Sequence, residues 1–330
     1  MRKRFARARG RVALEVNDYV VRAAVQSRAD GPVVTFEAPM PSGVIVQGEI
    51  DEPDTLSDVL AEQFAAWGIA KGSDVRFFVS DEAILARSID VNDADESYED
   101  LLTYVTMEIG QTIHVPFEDP TFDVFPTNEE ETKGTLFVAP AAPVTLLANA
   151  LLDLKMKPSV ADIKMLGLAR TIRRMGELTK RDVPTLVANW GLNGLTVAIF
   201  RNSVLEFLRF QQFHNFREQW TVDPELTDGA FPYTLRTDPE QYELSIGSEF
   251  GEIGNIMNSY RFSLHKGEHH VEQILLTGDN PQLDLIERQL TLAYGETPIE
   301  RLKETRFSTV YPNVPIRFAP LVGLFEREDV

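Results

Sequence analysis

Residues 14–22 read Leu14-Glu15-Val16-Asn17-Asp18-Tyr19-Val20-Val21-Arg22, an apolar strand that enters a tight polar turn and leaves it as a second apolar strand. Apolar runs on both sides of turn-forming residues predict a β-hairpin. The pattern returns in the second half of the chain, where residues 185–191 enter a glycine turn and residues 195–200 leave it. Short apolar strands follow the two hairpins, at 32–36 and 204–210. This weak internal repeat indicates a duplicated α/β unit.

Helices and strands are mixed along the rest of the chain. Apolar residues at helical spacing predict helices, and short apolar runs bounded by turn residues predict strands. The predicted helices are 56–67, 98–113, 143–154, 165–175, 239–264 and 281–292, and the further strands are 12–14, 20–25, 74–79, 83–89, 122–125, 135–139, 160–163 and 271–279. Residues 318–325 form a short apolar segment. The acidic stretches 93–100 and 128–132 are either solvated loops or docking segments for a basic partner.

Composition limits the class of protein. With 330 residues, of which 43% are hydrophobic, the chain is long enough for two globular domains. No apolar run reaches the roughly 18–20 residues that a bilayer span needs, and we expect no signal peptide. Cysteine is absent, which excludes disulfides and thiolate metal sites and fits a reducing compartment. The net charge of −19 argues against general nucleic-acid binding.

The basic N-terminus is the exception to this acidic composition. Its cations are Arg2, Lys3, Arg4, Arg7, Arg9 and Arg11. Such a cluster either meets an anionic membrane surface or an acidic partner, or is a solvated terminus. Without an adjacent apolar face, it would bind a membrane only weakly.

With both hairpins placed, the chain resembles the PilM family of actin-like proteins in type IV pilus assembly, itself related to FtsA. The resemblance lies in the order and spacing of elements over nearly the whole chain. Residues 43–50 resemble the start of an inserted subdomain, and 56–67, 74–80 and 85–91 its continuation. Ile113-His114-Val115-Pro116-Phe117 resembles the element that closes the second helix, and Phe207-Leu208-Arg209 the strand after the second hairpin.

The resemblance implies an actin-like duplication of two α/β domains with mixed sheets and an inserted α+β subdomain. The expected boundaries are 1–30 for the start of the first domain, 31–160 for the inserted subdomain, and 161–185 for the return to the first domain. The second domain is expected at 186–317, followed by a C-terminal segment at 318–330. In this family the turns of both hairpins cradle the phosphates of ATP.

Several positions depart from the nucleotide-binding pattern of actin-like ATPases. In the first hairpin, Glu15 takes the place of an Asp and Asn17 that of a Gly, while Arg22 fills the basic position. In the second hairpin, Asn189-Trp190-Gly191 stands where the family has Asp-x-Gly. That Asp organises magnesium and the attacking water, and a neutral amide neither holds Mg²⁺ well nor accepts a proton.

The adenosine strand departs from the pattern as well. Its Gly-Gly pair is Gly278-Asp279 here, so a negative side chain lies where a close backbone approach to an anionic nucleotide is needed. The polar adenosine contacts of the preceding helix are replaced around Asn255 and Ile256. Together these changes predict that hydrolysis is lost and that ATP binding is weak or absent.

Each candidate residue also has a purely structural interpretation. Asp18 and Arg22 either contact phosphate or magnesium or belong to an ordinary hairpin turn. Asn189, Gly191 and Gly278 are equally explained as turn residues. Glu15 either substitutes for the lost Asp or lies solvated at a strand end.

Other chemistries find less support in the sequence. His114, His214, His265, His269 and His270 show no metal-site spacing with a carboxylate on a helix face, and His269-His270 fits a solvated loop. Neither a Gly-x-Ser-x-Gly elbow nor a Gly-Lys-Ser phosphate loop is present. We therefore expect no catalytic residue and no metal site.

The expected function is that of an adaptor at the cytoplasmic face of the inner membrane. The resemblance implies that its partner is the short cytoplasmic N-terminal tail of a PilN-like membrane protein, held as an extended peptide in a groove beside the inserted subdomain, with other pilus assembly proteins nearby. One alternative is an active Mg-ATP-dependent ATPase that uses Asp18 and Glu15. Another is an FtsA-like division protein, but residues 326–330 are too polar for the amphipathic membrane helix of that group.

Overall fold

The two predicted hairpins each lie at the centre of a five-stranded sheet. The computed structural model describes residues 10–28, 31–90, 98–126, 133–176, 178, 182–213, 216–222 and 231–327. The strands are β1 (Arg11–Val16), β2 (Val20–Gln26), β3 (Val33–Pro39), β4 (Ile45–Val46), β5 (Glu49–Ile50), β6 (Asp74–Val79), β7 (Leu85–Asp90), β8 (Pro120–Pro126), β9 (Lys133–Pro140), β10 (Lys157–Ile163), β11 (Thr185–Trp190), β12 (Gly194–Arg201), β13 (Val204–Gln212), β14 (Trp220–Val222), β15 (Tyr233–Leu235), β16 (Gln273–Gly278) and β17 (Ile299–Arg301).

Helices connect and cover these strands. They are α1 (Pro53–Trp67), α2 (Tyr98–Glu108), α3 (Ala141–Asp153), α4 (Lys164–Arg174), α5 (Phe216–Gln219), α6 (Pro239–Ser245), α7 (Gly247–Asn258), α8 (Leu283–Tyr294), α9 (Glu304–Val310) and α10 (Ala319–Phe325). A π-helical turn, Ser259–Leu264, continues α7. Within the described residues, no helix combines the length and the apolar character needed to cross a membrane.

The two five-stranded sheets have the same topology. The first sheet has the strand order β10-β6-β1-β2-β3. The second has the order β17-β16-β11-β12-β13, so the two sheets correspond strand for strand. In each, the hairpin strands pair antiparallel, and the first hairpin strand also pairs parallel with a later strand. The first register places Glu15 opposite Arg22. The predicted duplication is therefore present as two sheets with one strand order.

A third sheet, β7-β9-β8, lies outside the duplicated part together with α2. The predicted insertion at 31–160 was too wide, because β3, β6 and most of β10 come from that range and yet pair in the first sheet. Strand pairing narrows the separate subdomain to the segment from β7 to β9. The basic residues before Gly10 and the stretches 93–97 and 128–132 lie outside the described residues.

The main buried cluster contacts both sheets. It includes Ala13 of β1 and Val187 of β11, with α4 and α10 between them. Helix α10 lies in the apolar segment predicted at 318–325, and it packs on α4 and β1. The two helices cross so closely that a Cβ added to Gly323 would lie 1.8 Å from the carbonyl oxygen of Gly167. Residues 318–325 are thus part of the first domain's core.

Some predicted elements differ in the structure. The helix predicted at 239–264 is divided between α6 and α7 at Ile246, whose backbone leaves the helical region at φ −100° and ψ 6°. The helix predicted at 98–113 ends at Glu108, and Gly110 then takes a positive φ of 83°. The short strands β14, β15 and β17 and helix α9 were not predicted.

Candidate functional site

All eight predicted site residues lie where the two hairpin turns face each other. Strands β1, β6 and β10 run parallel, so residues after their carboxyl ends meet at one edge of the first sheet. Strands β11 and β16 bring a second set to the same place. The set is Glu15, Asn17, Asp18 and Arg22 from the first domain and Asn189, Gly191, Gly278 and Asp279 from the second. Their predicted role in cofactor binding stays a prediction.

Asn17 holds the first turn closed with its own side chain. Its Oδ1 accepts hydrogen bonds from the backbone N–H groups of Tyr19, at 3.1 Å, and Val20, at 2.9 Å. A side-chain acceptor two or three residues before the donor is a common way to close a turn. Two N–H groups of the turn are therefore already satisfied by the side chain of Asn17.

Arg22 is the centre of a buried ion-pair network. Its side chain is 1% exposed and lies 3.3 Å from Glu15, 2.7 Å from Glu37 and 2.5 Å from Asp279. Glu15 belongs to β1 and Glu37 to β3, whereas Asp279 follows β16 of the second domain. One guanidinium therefore ties three carboxylates from both domains. These charges hold the pKa of Arg22 well above its ordinary value, although burial itself lowers it.

Two further cations complete the network around the carboxylates. Lys164, at the start of α4, lies 2.6 Å from Glu15, and Arg317 lies 2.8 Å from Glu37. The hydroxyl of Tyr19 donates to Asp279 over 2.8 Å. Burial raises the pKa of Asp279, but the charges of Arg22 and Lys164 outweigh burial and keep it below the ordinary value. Asp279 is therefore ionised and bonded across the domain interface.

The second hairpin turn touches the first directly. The amide of Asn193 donates to Asp18 over 2.8 Å and to Glu82 over 3.3 Å. The guanidinium of Arg217 donates to the backbone carbonyl of Asp18 over 2.6 Å. Asn193 thus links the second hairpin turn to the first.

Gly278 makes the closest backbone contact in the site. Its φ is +134°, and an added Cβ would lie 2.0 Å from the carbonyl oxygen of Trp190. Only glycine fits this position, because it lacks the Cβ and tolerates the positive φ. Gly278 thus joins strand β16 to strand β11 and directs Asp279 towards Arg22.

Burial raises the pKa of three carboxyl groups beside the turns, Asp18, Asp81 and Glu82. The pKa of Asp18 rises to about 6, mainly through burial and partly opposed by the charge of Arg217. The pKa of Glu82 rises to about 8, through burial first and then through the charges of Asp18 and Asp81. Glu82 Oε2 is buried without a hydrogen-bond partner. A neutral Glu82 at neutral pH is consistent with this surrounding.

These residues do not fit a magnesium nucleotide. The carboxylates Glu15 and Asp279 are bonded to Arg22 and Lys164, and Asp18 is 3% exposed. The anionic groups outnumber the cations that could receive phosphate, which opposes a polyphosphate. Among the described residues, no group of three or more His, Asp or Glu is arranged to hold a metal ion.

Several members of the network were not predicted from the sequence. They are Tyr19, Glu37, Asp81, Glu82, Lys164, Asn193, Arg217 and Arg317. A usable signal existed for Asp81, Glu82 and Lys164, since they come just after the carboxyl ends of predicted strands, where sites in α/β sheets collect. Tyr19 and Asn193 belong to the two predicted hairpin turns, so their position gave a signal as well. Glu37, Arg217 and Arg317 reach the site from β3, α5 and the segment before α10, and spacing alone gives no sign of that.

A groove lies between the first sheet and the third sheet. Its volume is about 560 Å³. One wall is β10 with the first turns of α4, and the other is β8 with β9. Apolar side chains including Ile84, Phe122, Phe137 and Leu166 line it, with Asp123, Asp162, Arg170 and Arg327 among the charged groups.

Comparison with known proteins agrees with the fold. No family model and no curated protein matches the sequence. A chain of a PilM–PilN type IV pilus biogenesis complex matches with a TM-score of 0.71 at 19% identity, over 98% of this chain and 99% of that one. A Bacteroides thetaiotaomicron protein described as having an actin-like ATPase fold matches with a TM-score of 0.51 at 9% identity, over 98% and 97%.

The fold is actin-like. The cytoplasmic domain of EpsL, an inner-membrane component of the type II secretion system of Vibrio cholerae, is also similar, with a TM-score of 0.50 at 10% identity over 92% of this chain and 94% of that one. The predicted actin-like α/β architecture is confirmed, as is the structural likeness to the PilM–PilN complex. At these identities the likeness establishes the fold and leaves function to the site and the groove.

We expect Arg22→Met to lower the free energy of unfolding by about 3–5 kcal/mol, because it leaves Asp279 buried without its ion-pair partner and takes one of two cations from Glu15 and from Glu37. Chemical denaturation at neutral pH measures this. The control is Arg301→Met, which breaks an ion pair with the 85% exposed Asp284 and should cost about 1 kcal/mol or less. Equal losses in the two variants would contradict a central role for Arg22.

Glu82→Gln should flatten the pH dependence of stability. A raised pKa means that the folded protein binds the proton more tightly than the unfolded chain, so wild-type stability falls as pH rises from about pH 5 to about pH 8. The variant keeps a neutral side chain, and we expect it to gain on the order of 2 kcal/mol relative to wild type across that range. Denaturation curves at several pH values test this. The charge control is Glu62→Gln, the same change at an exposed position of α1.

Proposed function

We propose that this protein is a nucleotide-free adaptor of type IV pilus or related secretion assembly. In this proposal it captures the cytoplasmic N-terminal tail of a PilN-like membrane protein. The groove between the first and third sheets is the observation that carries the proposal. It has the apolar lining and the strand edges that an extended peptide requires.

The groove is bounded by two edge strands. Strand β10 ends the first sheet and β8 ends the third sheet, so each has a side without a strand neighbour among the described residues. An added peptide strand gains its affinity from main-chain hydrogen bonds, and pockets for alternate side chains select its sequence. Ile84, Phe137 and Leu166 supply apolar surface for such side chains.

Charge and comparison both support a membrane-protein tail as the occupant. The net charge of −19 attracts the basic residues that flank membrane anchors on the cytoplasmic side. The match over nearly the full length of a chain from a PilM–PilN complex supports the same class of partner. We accordingly propose a cytoplasmic location at the inner face of the cell membrane, reached through this partner, with other pilus assembly proteins as further contacts.

We propose further that nucleotide hydrolysis is lost and that ATP binding is weak or absent. The support is the network of Arg22, which brings an arginine of the first domain against Asp279 of the second. Asn17 and Asn193 use the turn groups that would otherwise face phosphates. Salt-bridged carboxylates at Glu15 and Asp279 also weigh against the alternative of an active Mg-ATP-dependent ATPase.

A synthetic peptide of the cytoplasmic tail of the host's PilN-like protein tests the adaptor proposal. We expect it to bind the purified protein, and Leu166→Gln to weaken binding about tenfold by removing apolar contact in the groove. The matched control is Leu244→Gln, the same change at a side chain that is 82% exposed on α6 of the second domain. Fluorescence anisotropy gives the affinities. Absence of binding to wild type, or equal binding by both variants, would contradict the proposal.

A further inference from the structure

The outer edge of β10 is covered by a side chain from the far end of the chain. Arg327 Nη1 donates to the backbone carbonyl of Ala161 over 3.4 Å. That contact places the carbonyl of Ala161 on the side of β10 that faces away from β6. The next outward donor, the N–H of Ile163, is bonded to the side chain of Asp162 over 2.7 Å. Covering an exposed edge with side chains is a usual way to prevent unwanted strand pairing.

Arg327 also bridges the two walls of the groove. Its guanidinium lies 3.5 Å from Asp162 on β10 and 3.9 Å from Asp123 on β8. The two carboxylates thus form an anionic gap between the edge strands, and a guanidinium fills it. Asp162 also forms an ion pair with Arg170, at 2.7 Å. Asp123 belongs to the wall formed by the third sheet.

A buried arginine fixes the backbone from which Arg327 reaches the groove. Arg76 of β6 is 3% exposed and donates to the carbonyl oxygens of Leu324, at 3.1 Å, and Arg327, at 2.9 Å. These bonds hold the end of α10 and the residues that follow it beside the groove. The side chain of Arg327 remains 23% exposed. Its backbone is therefore held while its guanidinium can leave the groove without unfolding α10.

We propose that Arg327 guards the outer edge of β10, and that an entering tail displaces its guanidinium with a basic side chain of its own. This inference rests on the proposed function, because it assigns the chemistry of the same groove. The tail pairs with β10 at Ala161, places apolar side chains against Leu166 and Phe137, and puts a basic group between Asp123 and Asp162. A tail without a basic residue at that point would remove the positive charge that Arg327 places between Asp123 and Asp162 and would not replace it.

Arg327→Ala tests the guard. We expect the variant to bind the synthetic PilN-like tail about fivefold more tightly than wild type, since the tail no longer competes with a resident guanidinium. The matched control is Arg288→Ala, which removes an equal charge from an exposed position on α8 and should leave affinity within about twofold, because distant exposed charges are screened. Equal affinity of wild type and Arg327→Ala, or weaker binding by Arg327→Ala, overturns the guard while leaving the adaptor proposal intact. Failure of every protein to bind the tail overturns the adaptor proposal itself.

Asp123→Asn tests the chemistry of the gap. With the native tail, we expect this variant to lose affinity about fivefold or more. With a tail whose basic residues are replaced by glutamine, Asp123→Asn and wild type should bind alike. If Asp123→Asn lost the same affinity with both peptides, the result would contradict the displacement of Arg327 by a basic side chain of the tail.

Discussion

The structure depends on the burial of one arginine between two domains. Arg22 cannot leave its position without removing a buried cation from Glu15, Glu37 and Asp279, and its pairing with Asp279 is one of the contacts that join the second domain to the first. Asn17 and Asn193 close the turns on either side. Protein side chains therefore connect the two hairpins directly.

Helix α4 connects the ion-pair network to the groove. Its Lys164 pairs with Glu15 in the network, and its Leu166 lines the groove. The close crossing of α4 and α10 at Gly167 and Gly323 fixes the path that carries Arg327 to the groove. Core packing thereby positions both the interdomain link and the proposed tail site.

Much of the fold could be predicted from the sequence because its signals are local. The stretch 14–22 predicts its hairpin, and its repeat at 185–200 predicts the duplication. The insertion boundary was wrong because β3, β6 and β10 return to the first sheet, and strand pairing between distant segments leaves no local mark. The eight predicted site residues do meet in space. Their ion-pair partners Glu37, Lys164 and Arg317 depend on tertiary packing, as does the contact of Arg327 with Asp123, so periodicity could not reveal them.

We propose that side chains occupy the place of a nucleotide between the two hairpin turns. Thermal unfolding of the purified wild-type protein, with and without excess Mg-ATP, tests it most directly, since a ligand of the native state raises the midpoint by mass action. The account predicts the same midpoint in both conditions. A magnesium-dependent rise at millimolar ATP would contradict it, because the turns would then still open to bind nucleotide despite Arg22 and Asn193.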